Sequence, residues 1–196
     1  MSDPNPPANR DDADAKAWFY LDHWRDVEEW ASLRADAARL LETRLLELGP
    51  EVEALGEEFQ AATIVSDVES GNFPGYGLHR PEWNAIGYGG VSVVIQWERT
   101  KLLKPGSNQW PYVAVQVDGS VKSTALHTLA EGLSDVSKQF GGNRHSSTWP
   151  LWEYVEPGDD EKAVSPERLA SAALVRLRRL WLAAAPIIDG TQLTLR

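Results

Sequence analysis

Apolar residues recur along the first part of the chain in steps of three or four: Trp18, Leu21, Trp24, Val27, Trp30, Leu33, Ala37, Leu40, Leu41, Leu45 and Leu48. That spacing predicts a long amphipathic helix from Asp14, a suitable N-cap, to Gly49-Pro50, where proline removes an amide donor. A second helix over about 51–62 is expected to fold back on it as a hairpin partner. Trp18, Trp24 and Trp30 are expected in a globular core. The alternative is a coiled-coil dimer, but the stripe is regular for only about four turns and carries tryptophan in place of heptad Leu and Ile.

The period changes to two further on. Val91, Val93, Ile95 and Trp97 alternate with Ser92, Val94, Gln96 and Glu98, and Val113, Val115 and Val117 with Tyr112, Ala114 and Gln116. Both runs read as strands, paired antiparallel through a projecting loop over 99–110. Residues 71–90, rich in glycine, read as loop. Leu126, Leu129, Leu133, Val136 and Phe140 return to helical spacing, ended by Gly141-Gly142. Ser165-Pro166-Glu167 opens a last helix, running to about Ala185, that leaves Arg168, Arg176 and Arg179 on its surface. Residues 1–13 read as a disordered acidic tail and 14–196 as a single globular domain. This order implies an α+β fold dominated by helix, with a long N-terminal helical hairpin and C-terminal helices packed on a small antiparallel sheet.

Length supports that picture: a chain of 196 residues buries about 70% of its surface on folding, enough for one core. Charge complicates it. Residues 1–70 hold 17 acids against 6 bases, a net of -11, and residues 71–196 hold 12 against 13, a net of +1. Acidity concentrated at one end disfavours nonspecific attraction to polyanions or anionic lipid. It also suggests pairing between the N-terminal acids and Arg168, Arg176 and Arg179. Cysteine is absent, which excludes disulfides and thiolate chemistry. The start of the chain lacks the basic and apolar regions of a secretory signal, and no apolar run approaches the roughly 20 residues that span a bilayer. A soluble, cytoplasmic protein without membrane contact is the expectation.

Candidate chemistry is sparse. His23, His79, His127 and His145 lie far apart; His23 and His127 read as structural or surface residues. Pro81 prevents the helix that would set His79 and Glu82 on one face as metal ligands. Arg144-His145-Ser146-Ser147-Thr148 holds the residue types of a nucleophilic site without a nucleophile elbow. Gly87-Tyr88-Gly89-Gly90 precedes a strand, whereas a dinucleotide cradle follows one. No cofactor, metal or catalytic residue is assigned. Arg99, Lys101 and Lys104 with Trp97, Trp110 and Trp149 form a candidate grip for single-stranded nucleic acid.

Trp149-Pro150-Leu151-Trp152, Ser165-Pro166-Glu167-Arg168-Leu169 and Pro186-Ile187-Ile188-Asp189 resemble the C-terminal part of uncharacterised bacterial proteins grouped with the PD-(D/E)XK nuclease superfamily, over about residues 148–190. The resemblance implies an accessory portion and not a nuclease centre. Glu98-Arg99-Thr100-Lys101 places the lysine one residue late, which on a strand turns it to the opposite face. The leading expectation is a noncatalytic binding or protein-interaction module of bacterial type. Its surface would draw on Tyr76, His79, Arg80, Trp83, Tyr88, Arg99, Lys101, Arg144, His145, Trp149 and Trp152, with an acidic helical face beside them. The alternatives are a nuclease-related or other hydrolase using His79, Glu82, Glu98 or His145, and an acidic protein that binds a basic partner or mimics nucleic acid.

Overall fold

A computed structural model describes residues 10–85, 90–106, 108–117, 123–140, 148–158 and 164–194. Its centre is a five-stranded antiparallel meander in the order β1 (Ala62–Ser66), β2 (Gly75–His79), β3 (Val91–Gln96), β4 (Tyr112–Val117) and β5 (Leu151–Tyr154). The pairing of β3 with β4 is the expected one, matching Val91 to Val117 and Gln96 to Tyr112. Alternation then puts Val93, Ile95, Val113, Val115, Val117 and Leu151 on one face, and all six are buried.

The helices are α1 (Arg10–Asp22), α2 (Trp24–Ser32), α3 (Arg34–Leu46), α4 (Gly49–Phe59), α5 (Ser123–Gly132), α6 (Ser134–Phe140) and α7 (Pro166–Thr194). α7 lies across β3 and β4, and α3, α4 and α5 pack against it in turn. The chain is therefore α+β and dominated by helix, with its C-terminal helix on the sheet. None of the helices described is long and apolar enough to cross a membrane.

Several expectations change. Residues 75–79, read as loop, form β2, and here glycine marks a close approach between strands. A Cβ on Gly75 would stand 2.5 Å from the Ile95 carbonyl oxygen, and one on Gly77 2.7 Å from a Val94 methyl. The long first helix is interrupted at His23 and Leu33. It begins at Arg10, inside the expected tail; residues 1–9 lie outside the described part. α4 packs on β1, β2 and α7 rather than along α3, its Val52 and Leu55 sharing the core with Tyr76 and Leu78 of β2.

Trp18, Trp24 and Trp30 are 66%, 50% and 69% exposed, and the core begins only at Leu41. A three-residue step turns the apolar row by about 60° around an α-helix, so the row slants across α1 and α2 and presents no single face to a flat layer.

α7 continues through Pro186 to Thr194, past its expected end. Proline inside a helix costs about 3 kcal/mol. The turn beyond it is held by Ile188, fully buried, and by Asp189. Asp189 accepts from the indole N–H of Trp83 at 2.8 Å and from Arg80 at 2.5 Å. Trp83, also fully buried, would otherwise keep a donor without water or partner. Asp189→Ala is expected to lower stability by about 1–3 kcal/mol, the cost of an orphaned buried donor. Asp189→Asn, which still accepts from Trp83 and loses only an ion pair about one-third exposed, is expected to cost under about 1 kcal/mol. Denaturant midpoints of the two variants check this order.

Candidate functional site: an aromatic pocket on the open face of the sheet

Opposite the helices, the register aligns Gln96 with Tyr112 and Tyr112 with Tyr154, and alongside them Val94 with Ala114 and Ala114 with Trp152. Their side chains share the second face of the sheet. Gln96, Tyr112, Trp152 and Tyr154, with Phe73 before β2, Asn108 before β4, Gln116 on β4 and Trp149 before β5, line a pocket of about 470 Å³. That volume lies within the range of small-molecule sites. Tyr112 stands edge-on to Trp149 and to Tyr154, with centroids 5.7 and 6.4 Å apart, and Trp152 meets Tyr154 at 4.9 Å.

Hydrogen bonds hold the lining in place. The Tyr112 hydroxyl donates to Gln96 Oε1 at 2.6 Å, and Gln96 Nε2 donates to the Phe73 carbonyl at 3.0 Å. The Tyr154 hydroxyl donates to Asn108 Oδ1 at 2.5 Å and accepts from the Asn108 backbone N–H at 3.0 Å. Asn108 Nδ2 donates to Glu98 at 2.9 Å, and Lys101 Nζ lies 3.1 Å from the same carboxylate. Asn108 reaches these partners from a left-handed conformation, φ 64°, which asparagine tolerates better than most residues. The 99–110 segment, expected to project freely, is anchored by Leu102, 2% exposed, as well as by these bonds. Gln116 is the lining amide with no hydrogen bond to another described residue.

The electrostatics favour fixed protonation states. Burial, with smaller contributions from the charge of Glu98 and from Tyr154, raises the Tyr112 pKa well above the usual tyrosine range. Glu98 is 6% exposed. Burial alone would raise its pKa, but hydrogen bonds from Asn108, Lys101 and Asn72 and the charge of Lys101 outweigh that and hold it below the ordinary value. Glu98 is thus an ionised anchor behind the pocket, neutralised by Lys101.

Of the residues singled out from the sequence, the structure brings Trp149 and Trp152 into the pocket. His79 ends β2, half-buried and on the same face of the sheet. The others serve the fold. Tyr76 is buried and donates to the Leu46 carbonyl at 2.6 Å, bracing the turn between α3 and α4. Trp83 and Arg80 are committed to Asp189. Arg99 is held by Glu42 and by the Gly71 and Val68 carbonyls, and Lys101 by Glu98. Tyr88, Arg144 and His145 lie outside the described residues.

Compared with family models, curated proteins and solved structures, the chain matches none. None of these comparisons links residues 148–190 to the nuclease superfamily. Among the described residues, no three of His, Cys, Asp and Glu gather as a metal site.

Nothing in the sequence singles out Tyr112, Gln96, Gln116 and Asn108 as site residues. The alternation of Tyr112, Ala114 and Gln116 was the available signal, but only the register joins it to Gln96 and Trp152. Because the Glu98 pKa is lower folded than unfolded, its contribution to stability is complete above the unfolded value near 4.3 and is lost as pH falls through the folded one. Glu98→Gln is expected to flatten the loss of thermal stability between about pH 5 and pH 3. Melting curves at several pH values check it.

Proposed function

We propose that the protein is a noncatalytic binding protein whose ligand enters the aromatic and amide pocket on the open face of the sheet. The observation that carries this reading is the lining itself: five aromatic side chains and three side-chain amides, with no charged residue among them. Rings of this kind offer large, stiff contact area, and a lining already hydrogen-bonded loses little freedom on binding. The groups nearby are poorly suited to proton transfer, since Tyr112 is held protonated and Glu98 ionised, with Asn108 and Lys101 both on its Oε2.

The chemistry fits a neutral ligand with an apolar face to lie on an indole and a polar edge for Gln116, which are the properties of a sugar ring on a glycan or glycosylated partner. A nucleic-acid strand is less well served. Its phosphates need cations, and Arg99 and Lys101 are occupied by acids while Trp97 is fully buried.

Titration calorimetry with neutral oligosaccharides, with nucleosides and tetramethylammonium as comparison ligands, tests the reading. Saturable binding of a saccharide is expected, weakened about tenfold or more by Trp152→Ala and by Gln116→Ala, a loss of about 1.4 kcal/mol or more. Absence of saccharide binding, or equal binding by both variants, counts against it.

A further inference from the structure

The polar side chains on the open face of the sheet divide into two sets. Gln96, Tyr112, Asn108 and Tyr154 are bonded to one another or to the Phe73 carbonyl. Four residues along β4 from Tyr112, Gln116 makes no hydrogen bond to another described residue, and neither does the side chain of Ser92 on β3 or of His79 on β2. These three form a row across the sheet. Ser92 stands directly opposite Gln116, which brings their side chains within about 5 Å. β2 runs from Gly77, opposite Val94, towards Ser92 and ends at the half-buried His79. Because Gln116 lines the pocket, the row starts there and leads away over β3.

Ser92 is 8% exposed. Among the described residues, the Trp97 indole N–H is the one unpartnered side-chain group sealed from solvent, so the unpartnered Ser92 hydroxyl keeps an opening. A hydroxyl this deep without a partner costs stability, and it calls for a partner that the chain itself does not supply. The kind of partner follows from the groups in the row. Amide, hydroxyl and neutral imidazole each offer a donor and an acceptor. A carboxylate only accepts and an ammonium group only donates, whereas a hydroxyl does both, so neighbouring hydroxyls on one ring answer the whole row.

We infer that Ser92 is a specificity-determining residue of the pocket and that, with Gln116 and His79, it receives the hydroxyl-bearing edge of a neutral sugar ring. The inference rests on the proposed binding of a saccharide and gives that saccharide an orientation. Its apolar face lies against Trp152, and its hydroxyls point over β3 towards β2. The opposite orientation would set them against Gln96, Tyr112, Asn108 and Tyr154, whose hydrogen bonds to one another and to Phe73 would have to break first.

Two measurements on Ser92→Ala in the full chain test this. The denaturant midpoint of the free variant is expected at or above the wild-type value, because the substitution removes an unpartnered hydroxyl. Titration calorimetry with cellotriose, maltotriose and mannotriose is expected to show the variant binding the preferred saccharide about fivefold more weakly, the loss of one hydrogen bond. Among monodeoxy analogues of that saccharide, one is expected to bind wild type and Ser92→Ala equally, which identifies the hydroxyl that Ser92 holds. A lowered midpoint makes Ser92 a structural residue and overturns the inference. Undiminished saccharide binding by the variant, or an equal loss with every analogue, overturns it while leaving the pocket as the binding site. A wild type that binds none of the three saccharides overturns the reading of the pocket and the inference with it.

Discussion

The apolar contact between α7 and the valine face of β3 and β4 is the constraint from which the rest of the packing follows. α7 presents Ala170, Ala173, Ala184 and Ala185 beside Leu177, Leu180, Trp181 and Ile188 on one side, all nearly inaccessible. Small residues among large ones let the helix lie close to a sheet whose own face is built from β-branched side chains. Once that side is committed, α3, α4 and α5 find their apolar partners on α7 or beside it. All the helix packing is then on one layer, and the other face of the sheet carries the aromatic and amide side chains that line the pocket.

Charge follows packing rather than leading it. Arg178, rather than Arg168, Arg176 or Arg179, reaches an N-terminal acid, making a two-pronged pair with Glu58 at 2.5 and 2.6 Å. Arg99 joins another N-terminal acid, Glu42, from the sheet side through its Nε. Arg176 instead pairs with Glu153, and Arg179 covers the ring of Phe140. Arg178 and Glu58 are each nearly half exposed, so their pairing contributes at most about 1 kcal/mol and serves more to orient α4 on α7 than to hold it there. Much of the remaining acidity stays on α1, α2 and the start of α3, among their exposed aromatic residues.

How far the sequence could be read depended on whether a residue's role was set by its neighbours in the chain. β3 and β4 were legible because alternation of valine with polar residues has one physical meaning when one face is buried. β2 was hidden because Gly75 and Gly77, which suggest a turn, are there to admit Val94 and Gln96 of the adjacent strand. β5 was read only as an aromatic stretch, since four residues at a sheet edge leave too short a pattern. The pocket was partly legible: Trp149 and Trp152 stood out by type, while Gln96 and Asn108 gain their place only through Tyr112, Glu98 and Tyr154.

Residues along the chain alone determined the α+β class, the two central strands, the start of the last helix and the uneven charge, because each rests on local periodicity or composition. Tertiary structure decided which tryptophans are buried. Trp83 and Trp181 lie against each other in the core, with centroids 5.0 Å apart, while Trp18, Trp24 and Trp30, with a more regular spacing, are left in solvent. The physical reason is geometric. Periodicity states that a helix has apolar residues in rows, but whether a row is covered depends on its slant and on the surface that the rest of the chain brings to it.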